Sequence, residues 1–190
     1  MQKIIIITGT IASGKSTALK ILRDKFAYYI ISADEVYHKL LNEGAFDEAL
    51  KREFPNCFNN SILNKTLLRE RILTSRRKRR KLNDITHIII LEKIKSLIKE
   101  NSDKNIAIEI PLQEKIGLLK GYMHYSIFVT APVHERLLRL AERNWAINDT
   151  IRIVKIQKKY ERHNCDFTIN NDGDEAELEK KLQKIINDFI

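Results

Sequence analysis

A run of four isoleucines, Ile4 to Ile7, leads through Thr8 into Gly9-Thr10-Ile11-Ala12-Ser13-Gly14-Lys15-Ser16, followed at once by Thr17. The octet reads G-x-x-x-x-G-K-S. Behind it Leu19, Leu22 and Phe26 recur at helical spacing. Strand, glycine-bounded loop and helix together are the setting of a phosphate-binding loop. Gly9 and Gly14 let the backbone turn so that several N–H groups converge on one anion with no Cβ in the way. The helix starting near Lys15 adds the positive end of its dipole. The Lys15 ammonium has the reach for outer phosphates, and the Ser16 hydroxyl is placed to ligate Mg²⁺. An ordinary strand–turn–helix corner would not require the complete motif. The chain is expected to bind a nucleoside triphosphate.

The remaining pattern is that of an α/β protein. Tyr28 to Ile31, Asn105 to Ile110, Tyr125 to Thr130 and Phe167 to Ile169 read as further buried strands, separated by amphipathic helices. This alternation predicts a parallel five-stranded sheet sandwiched by helices. From Ala45 to about Glu100 the pattern is helix after helix, with breaks at Pro55-Asn56 and Asn59-Asn60-Ser61. The expected organisation is one domain over residues 1–190. Residues 1–44 and 101–190 form its nucleotide-binding core, 45–100 are a helical insertion, and a lid lies at 143–152. Helices are expected from Val133 to Trp145 and from the break at Ile147-Asn148-Asp149 to about His163.

Loops that follow strands of an open parallel sheet are where ligands bind. Asp34 follows the second strand, where a carboxylate can take the proton of an attacking hydroxyl. The bland alternative is a favourable charge in the first turn of a helix capped by Ser32 and Glu35, but the position matches that of a kinase's base. Glu109 ends an apolar strand, either holding a Mg²⁺ shell through water or pairing with a lysine. Arg139 and Arg143 stand i, i+4 apart. They read as arginines of a lid that closes over a transferring phosphate, or as a solvated basic helix supported by Glu135 and Glu142.

Charge and cysteine content narrow the setting. The 190 residues carry 34 Lys and Arg against 25 Asp and Glu, a net +9 that suits an anionic ligand or nucleic acid. Much of the excess lies in Arg76-Arg77-Lys78-Arg79-Arg80-Lys81. Six consecutive charges go all the way round a helix, so that turn cannot pack on a core. It has no interleaved aromatics or reader motif, so a solvated turn flanking an anion pocket is expected, with no specific nucleic acid as partner. His87, taken alone, reads as a structural histidine. Cys57 and Cys165 make no spaced pair, which argues against a disulfide framework or zinc site. The start Met1-Gln2-Lys3 runs into the first strand with no signal peptide pattern. The apolar runs are too short to cross a bilayer. A reduced, cytoplasmic protein without a membrane partner is expected.

The ordered set of motifs resembles the dephospho-CoA kinase family over most of the chain. Thr8 to Thr17 is similar to its T-G-G-I-x-S-G-K-S-T loop, and Ala33-Asp34 to the end of its D-A-D. Leu63-Asn64-Lys65 with Leu68, then Leu82 to His87, resemble L-[DN]-R-x-x-L and L-x-x-I-x-H-P. Ile110-Pro111-Leu112 resembles the start of [IV]-P-L-L-F-E. Arg139-Leu140, Arg143, Gln157, Asp166, Asn171 and Gly173 follow its C-terminal pattern. The resemblance implies ATP and Mg²⁺, and transfer of phosphate to the ribose 3′-hydroxyl of dephospho-CoA; the sequence does not give the oligomeric state, for which a monomer is favoured. Asp34 would be the base, with Lys15 and Arg143 stabilising the moving phosphoryl group. Ala12, Ser13, Gly14, Lys15, Ser16 and Thr17 would cradle ATP, and Ser16 and Glu109 would serve the metal. Asp34, His87, Leu112 and Arg139 would contact substrate, with the insertion helping to hold the acceptor. The chain departs from the pattern at Thr10, Ser32, Ile88 and Ile153, and Pro111-Leu112-Gln113-Glu114 is one residue short. Kinases of another nucleotide or nucleoside, and an ATP-binding regulatory protein without acceptor chemistry, are the alternatives.

Overall fold

The computed structural model describes residues 2–110, 119, 121–157 and 164–189. It divides into two compact units, one of residues 1–33 and 98–190 and the other of residues 34–97.

Five parallel strands form the sheet of the first unit: β1 (Ile4–Gly9), β2 (Tyr29–Ser32), β5 (Ile106–Glu109), β6 (Tyr125–Thr130) and β7 (Phe167–Asn170). Their order is β2-β5-β1-β6-β7, the parallel five-stranded arrangement expected from the alternation. β1 is central, with Ile7 beside Glu109 on β5 and Ile127 on β6. The chain turns to one side of β1 for β2 and β5 and to the other for β6 and β7. The loop leaving β1 therefore sits at a topological switch point, where open sheets bind ligands.

Continuous apolar strands need both faces covered. Ile5 and Ile7 join a core with Ala18, Leu19 and Leu22 of α1 (Lys15–Phe26), Ile127, Val129 and Ile169 of the sheet, and Leu178 and Leu182 of α8 (Glu175–Phe189). Ile6, Ile108 and Phe128 point the other way and are also buried. Burying each such isoleucine contributes about 1.5–3 kcal/mol, so β1 is a rigid platform for the loop at its end. Ser126 N–H and Oγ both donate to Asp166 Oδ2 at 2.7 Å, fixing where β7 joins β6.

Two further helices follow β6: α6 (Val133–Glu142) and α7 (Ile147–Gln157). The helix expected to reach Trp145 ends sooner. Asn144 adopts φ 58°, and the Leu140 carbonyl accepts the N–H groups of both Arg143 and Trp145. A left-handed residue ends the helical ladder, and asparagine tolerates that conformation better than most. The expected extension of α7 towards His163 falls outside the described residues beyond Gln157.

The second unit holds most of α2 (Ala33–Asn42), then α3 (Asp47–Glu53), a 3₁₀ turn at Pro55–Cys57, α4 (Lys65–Thr74) and most of α5 (Arg76–Glu100). Its buried side chains include Val36, Leu40, Phe46, Leu50, Phe54, Cys57, Leu68 and Leu82. Asn64 Oδ1 caps α4 by accepting from Leu67 N–H at 3.0 Å. This region is not wholly helical. β3 (Phe58–Asn59) and β4 (Ile62–Leu63) make an antiparallel hairpin around Asn60 and Ser61. Both turn residues have positive φ, 47° and 69°, as tight hairpin turns require. Strands of two residues show no period-two pattern, which is why the sequence reads only as a break. Arg76 to Lys81 form the exposed first turns of α5, and Lys81 pairs with Glu53.

Candidate active site

The phosphate loop is shaped by backbone that only particular residues accept. Gly9 has φ 150° and Gly14 φ 97°. A Cβ on Gly9 would run into the carbonyl oxygen of Val129, and one on Gly14 into the Asn171 amide. Gly14 caps α1 without any side-chain cap, and the first turn of the helix has no acidic residue. That leaves a helix N-terminus suited to an anion. Lys15 Nζ donates to the carbonyls of Gly9 at 3.1 Å and Thr10 at 2.9 Å, keeping the ammonium against the loop.

The outer side of the loop is tied down by side chains from distant elements. Arg136 Nε on α6 donates to the Ile11 carbonyl at 3.0 Å, and Arg139 Nη1 to the Ala12 carbonyl at 3.4 Å. Asn171 Nδ2, just past β7, donates to the Ser13 carbonyl at 2.9 Å. Ile11 N–H donates to Gln157 Oε1 on α7 at 2.6 Å. Ala12, Leu140 and Val154 form a small apolar core beneath these contacts. The hydroxyls of Thr8, Thr10 and Ser13 are buried with no hydrogen-bond partner among the described residues. The loop thus keeps polar capacity in reserve, which suits a polar ligand.

Beside the loop opens a cleft of about 190 Å³, lined in part by Gly14, Thr17, Arg139, Arg143, Asn171 and Gly173. Arg139 Nη2 also donates to the Asn171 carbonyl at 3.2 Å and lies 3.7 Å from Glu135 Oε2. Arg143 is exposed and caps α6 rather than standing on its helical face. The structure therefore brings Gly14, Thr17, Arg139 and Arg143 together around one cleft. Next to it, the hydrogen bond from Lys181 holds the Asp172 carboxyl below its ordinary range. A lowered folded pKa gives stability that is present above the usual carboxylate range and lost as pH falls through it.

Ser16 is exposed in the first turn of α1. Glu109 ends β5 in register with Ile7 and with Ser32, whose Oγ donates to Glu109 Oε2 at 3.1 Å. Asp34 is exposed in the first turn of α2, and His87 is half-buried in the middle of α5; both belong to the second unit. Leu112, with Pro111, Gln113 and Glu114, lies outside the described residues. Arg136 escaped the sequence reading because it occupies a buried position where periodicity predicts an apolar side chain. It is 0% exposed.

A parallel sheet whose central strand feeds a phosphate loop at the switch point, with arginines over the adjoining cleft, is the fold and site of a phosphate-loop kinase. Residues 3–177 match the family model described as dephospho-CoA kinase. The curated dephospho-CoA kinase of Borreliella burgdorferi is 34% identical over 201 aligned positions, covering 97% of this chain and 95% of that one. The chain belongs to the dephospho-CoA kinase family. Among solved structures, a Thermus thermophilus protein superposes with a TM-score of 0.79 at 24% identity, covering 100% of this chain and 98% of its own. The dephospho-CoA kinase from Campylobacter jejuni does so at 0.64 and 24% identity, covering 98% and 96%. Both likenesses concern the fold.

Proposed function

We propose that this protein transfers the γ-phosphoryl group of ATP to the ribose 3′-hydroxyl of dephospho-CoA, yielding coenzyme A and ADP. The observation that carries the reading is the braced phosphate loop opening onto a cleft lined by Arg139 and Arg143. The loop N–H groups and Lys15 hold the β- and γ-phosphates, with Ala12, Ser13, Gly14, Ser16 and Thr17 forming the cradle. The nucleoside end of ATP occupies the neighbouring cleft. Asp34 takes the proton of the acceptor hydroxyl as its oxygen attacks phosphorus, and ADP leaves. Lys15 and Arg143 offset the charge that spreads over the equatorial oxygens.

Ser16 and Glu109 fit Mg²⁺, a hydroxyl and a carboxylate being the hard oxygen donors it prefers, directly or through water. Held there, Mg²⁺ would neutralise part of the charge on the outer phosphates. Arg139, His87 and Leu112, with the helical lobe of residues 45–100, contact substrate, and residues 143–152 act as a lid. The protein works in the cytoplasm with no specific nucleic-acid partner and no membrane partner, and a monomer is the favoured state. Among the described residues no helix is long and apolar enough to cross a membrane.

A coupled ADP-release assay with ATP and Mg²⁺ tests the reading against a panel of dephospho-CoA, AMP, CMP, UMP, adenosine and shikimate. Turnover with dephospho-CoA alone is expected. Preference for another acceptor would reassign the substrate. Tight ATP binding with no turnover on any acceptor would make this a nucleotide-dependent regulatory protein.

A further inference from the structure

A phosphate loop works only while its N–H groups face the ligand, which turns its carbonyls outward. Outward carbonyls in a buried turn need donors behind them. Here three consecutive ones, those of Ile11, Ala12 and Ser13, receive side-chain donors. The third donor is also tied down through its own backbone. Asn171 is 7% exposed. Its own N–H donates to the Thr130 carbonyl at 2.7 Å, anchoring it to the end of β6. Its carbonyl accepts from Arg139 Nη2 at 3.2 Å, and its amide donates to the Ser13 carbonyl at 2.9 Å. That amide also fills the space a Cβ on Gly14 would need.

We infer that Asn171 is a positioning residue for phosphoryl transfer, setting the Ser13–Gly14 peptide and Arg139 for nucleotide before any nucleotide binds. The peptide it holds carries the Gly14 N–H, one of the donors aimed at phosphate. Without the amide the Ser13 carbonyl is free to rotate inward, where its negative end opposes a phosphate oxygen. The same substitution unseats Arg139 from its carbonyl partner only if the backbone shifts, so the first effect belongs to nucleotide affinity. This inference rests on the ATP reading of the loop.

The test is ATP affinity by calorimetry on the whole protein, with Mg²⁺, for the wild type, Asn171→Asp, Asn171→Ser and Lys15→Ala. Asn171→Asp keeps the shape but replaces a donor with a carboxylate facing a carbonyl oxygen and a bound polyanion. Burial and that neighbour raise the new carboxyl's pKa. Protonated, it regains an O–H donor. Binding should fall by roughly tenfold or more at pH 8, in line with losing one hydrogen bond to a charged or buried partner, and recover part of the way towards pH 6. The wild type should show no such recovery. Asn171→Ser is neutral and too short to reach Ser13, and should weaken binding at every pH. In both variants KM for ATP should rise more than kcat falls. Wild-type affinity in both, with Lys15→Ala impaired, would overturn the brace and leave the loop reading intact. Wild-type affinity in Lys15→Ala would instead sink the ATP reading of the loop. Failure of Asn171→Ser to fold would also overturn the inference, by making Asn171 a core residue.

Discussion

Ser32 Oγ donates to Glu109 Oε2 at 3.1 Å, joining the carboxyl ends of β2 and β5. Ser32 stands where the family pattern carries the first acid of D-A-D, so of that pair only Asp34 is a carboxylate here. In the proposed reading Glu109 would orient water on Mg²⁺, and the Ser32 hydroxyl holds one of its oxygens. Outer partners of a metal typically contribute 10–100-fold in affinity or activity. Glu109→Gln should raise the Mg²⁺ concentration for half-maximal activity by about 10–100-fold, with a smaller rise for Ser32→Ala. Titration of activity with Mg²⁺ at fixed ATP checks both. An unchanged midpoint in folded Glu109→Gln would remove Glu109 from the metal's surroundings.

The basic turn at residues 76–81 tests the absence of a nucleic-acid partner. All six side chains are exposed, with no reader motif among them. Contacts of that kind reach phosphates alone and release counterions, so they weaken steeply with salt. Binding to RNA or DNA should be independent of sequence and essentially lost between about 50 and 200 mM salt in a filter or anisotropy assay. Sequence-selective, submicromolar binding at physiological salt would add a nucleic-acid role to the kinase.

What the sequence discloses follows the range of the interactions involved. Ile4 to Ser16 is legible because strand, glycine turn and helix start are each set by residues within a few positions. The parallel sheet follows from that unit repeated. Less is legible where a residue is chosen by a distant partner. Arg136 reaches Ile11 across 125 residues and Asn171 reaches Ser13 across 158, and no local pattern reports either. Asn171 belongs to the family pattern quoted for the C-terminus, yet its role emerges only from the fold. The end of α6 is not legible because one asparagine, Asn144, takes a left-handed conformation. The hairpin at β3 and β4 is not legible because its strands have two residues each.

The segment between α6 and α7 is expected to respond to ligand. Arg143, Asn144 and Trp145 are exposed, and few buried contacts oppose their movement. If residues 143–152 close over substrate, Arg143 approaches the phosphates and water is excluded. Amide exchange there should slow when ATP and dephospho-CoA (or a bisubstrate mimic) are both present, and less with either alone. Identical exchange with and without ligand would leave Arg143 a surface residue.

Asp34→Asn separates chemistry from structure. Asp34 is exposed in the first turn of α2, so its replacement by a side chain of the same shape removes no packing. The lost charge at the helix N-terminus is worth only about 0.3–1 kcal/mol at an exposed site. Thermal stability should therefore change little. An amide takes up no proton at neutral pH, so a general-base role predicts a fall in kcat of about 10²–10⁴. ATP affinity should survive, because the loop's contacts are made by a different segment and largely by backbone. The acceptor hydroxyl is activated only in the ternary complex, so the loss should appear in kcat and not in KM for ATP. Steady-state rates with both substrates varied, beside a melting curve, give the answer. A wild-type kcat with a lowered melting temperature would make Asp34 a helix-start residue and leave the proton to another acceptor.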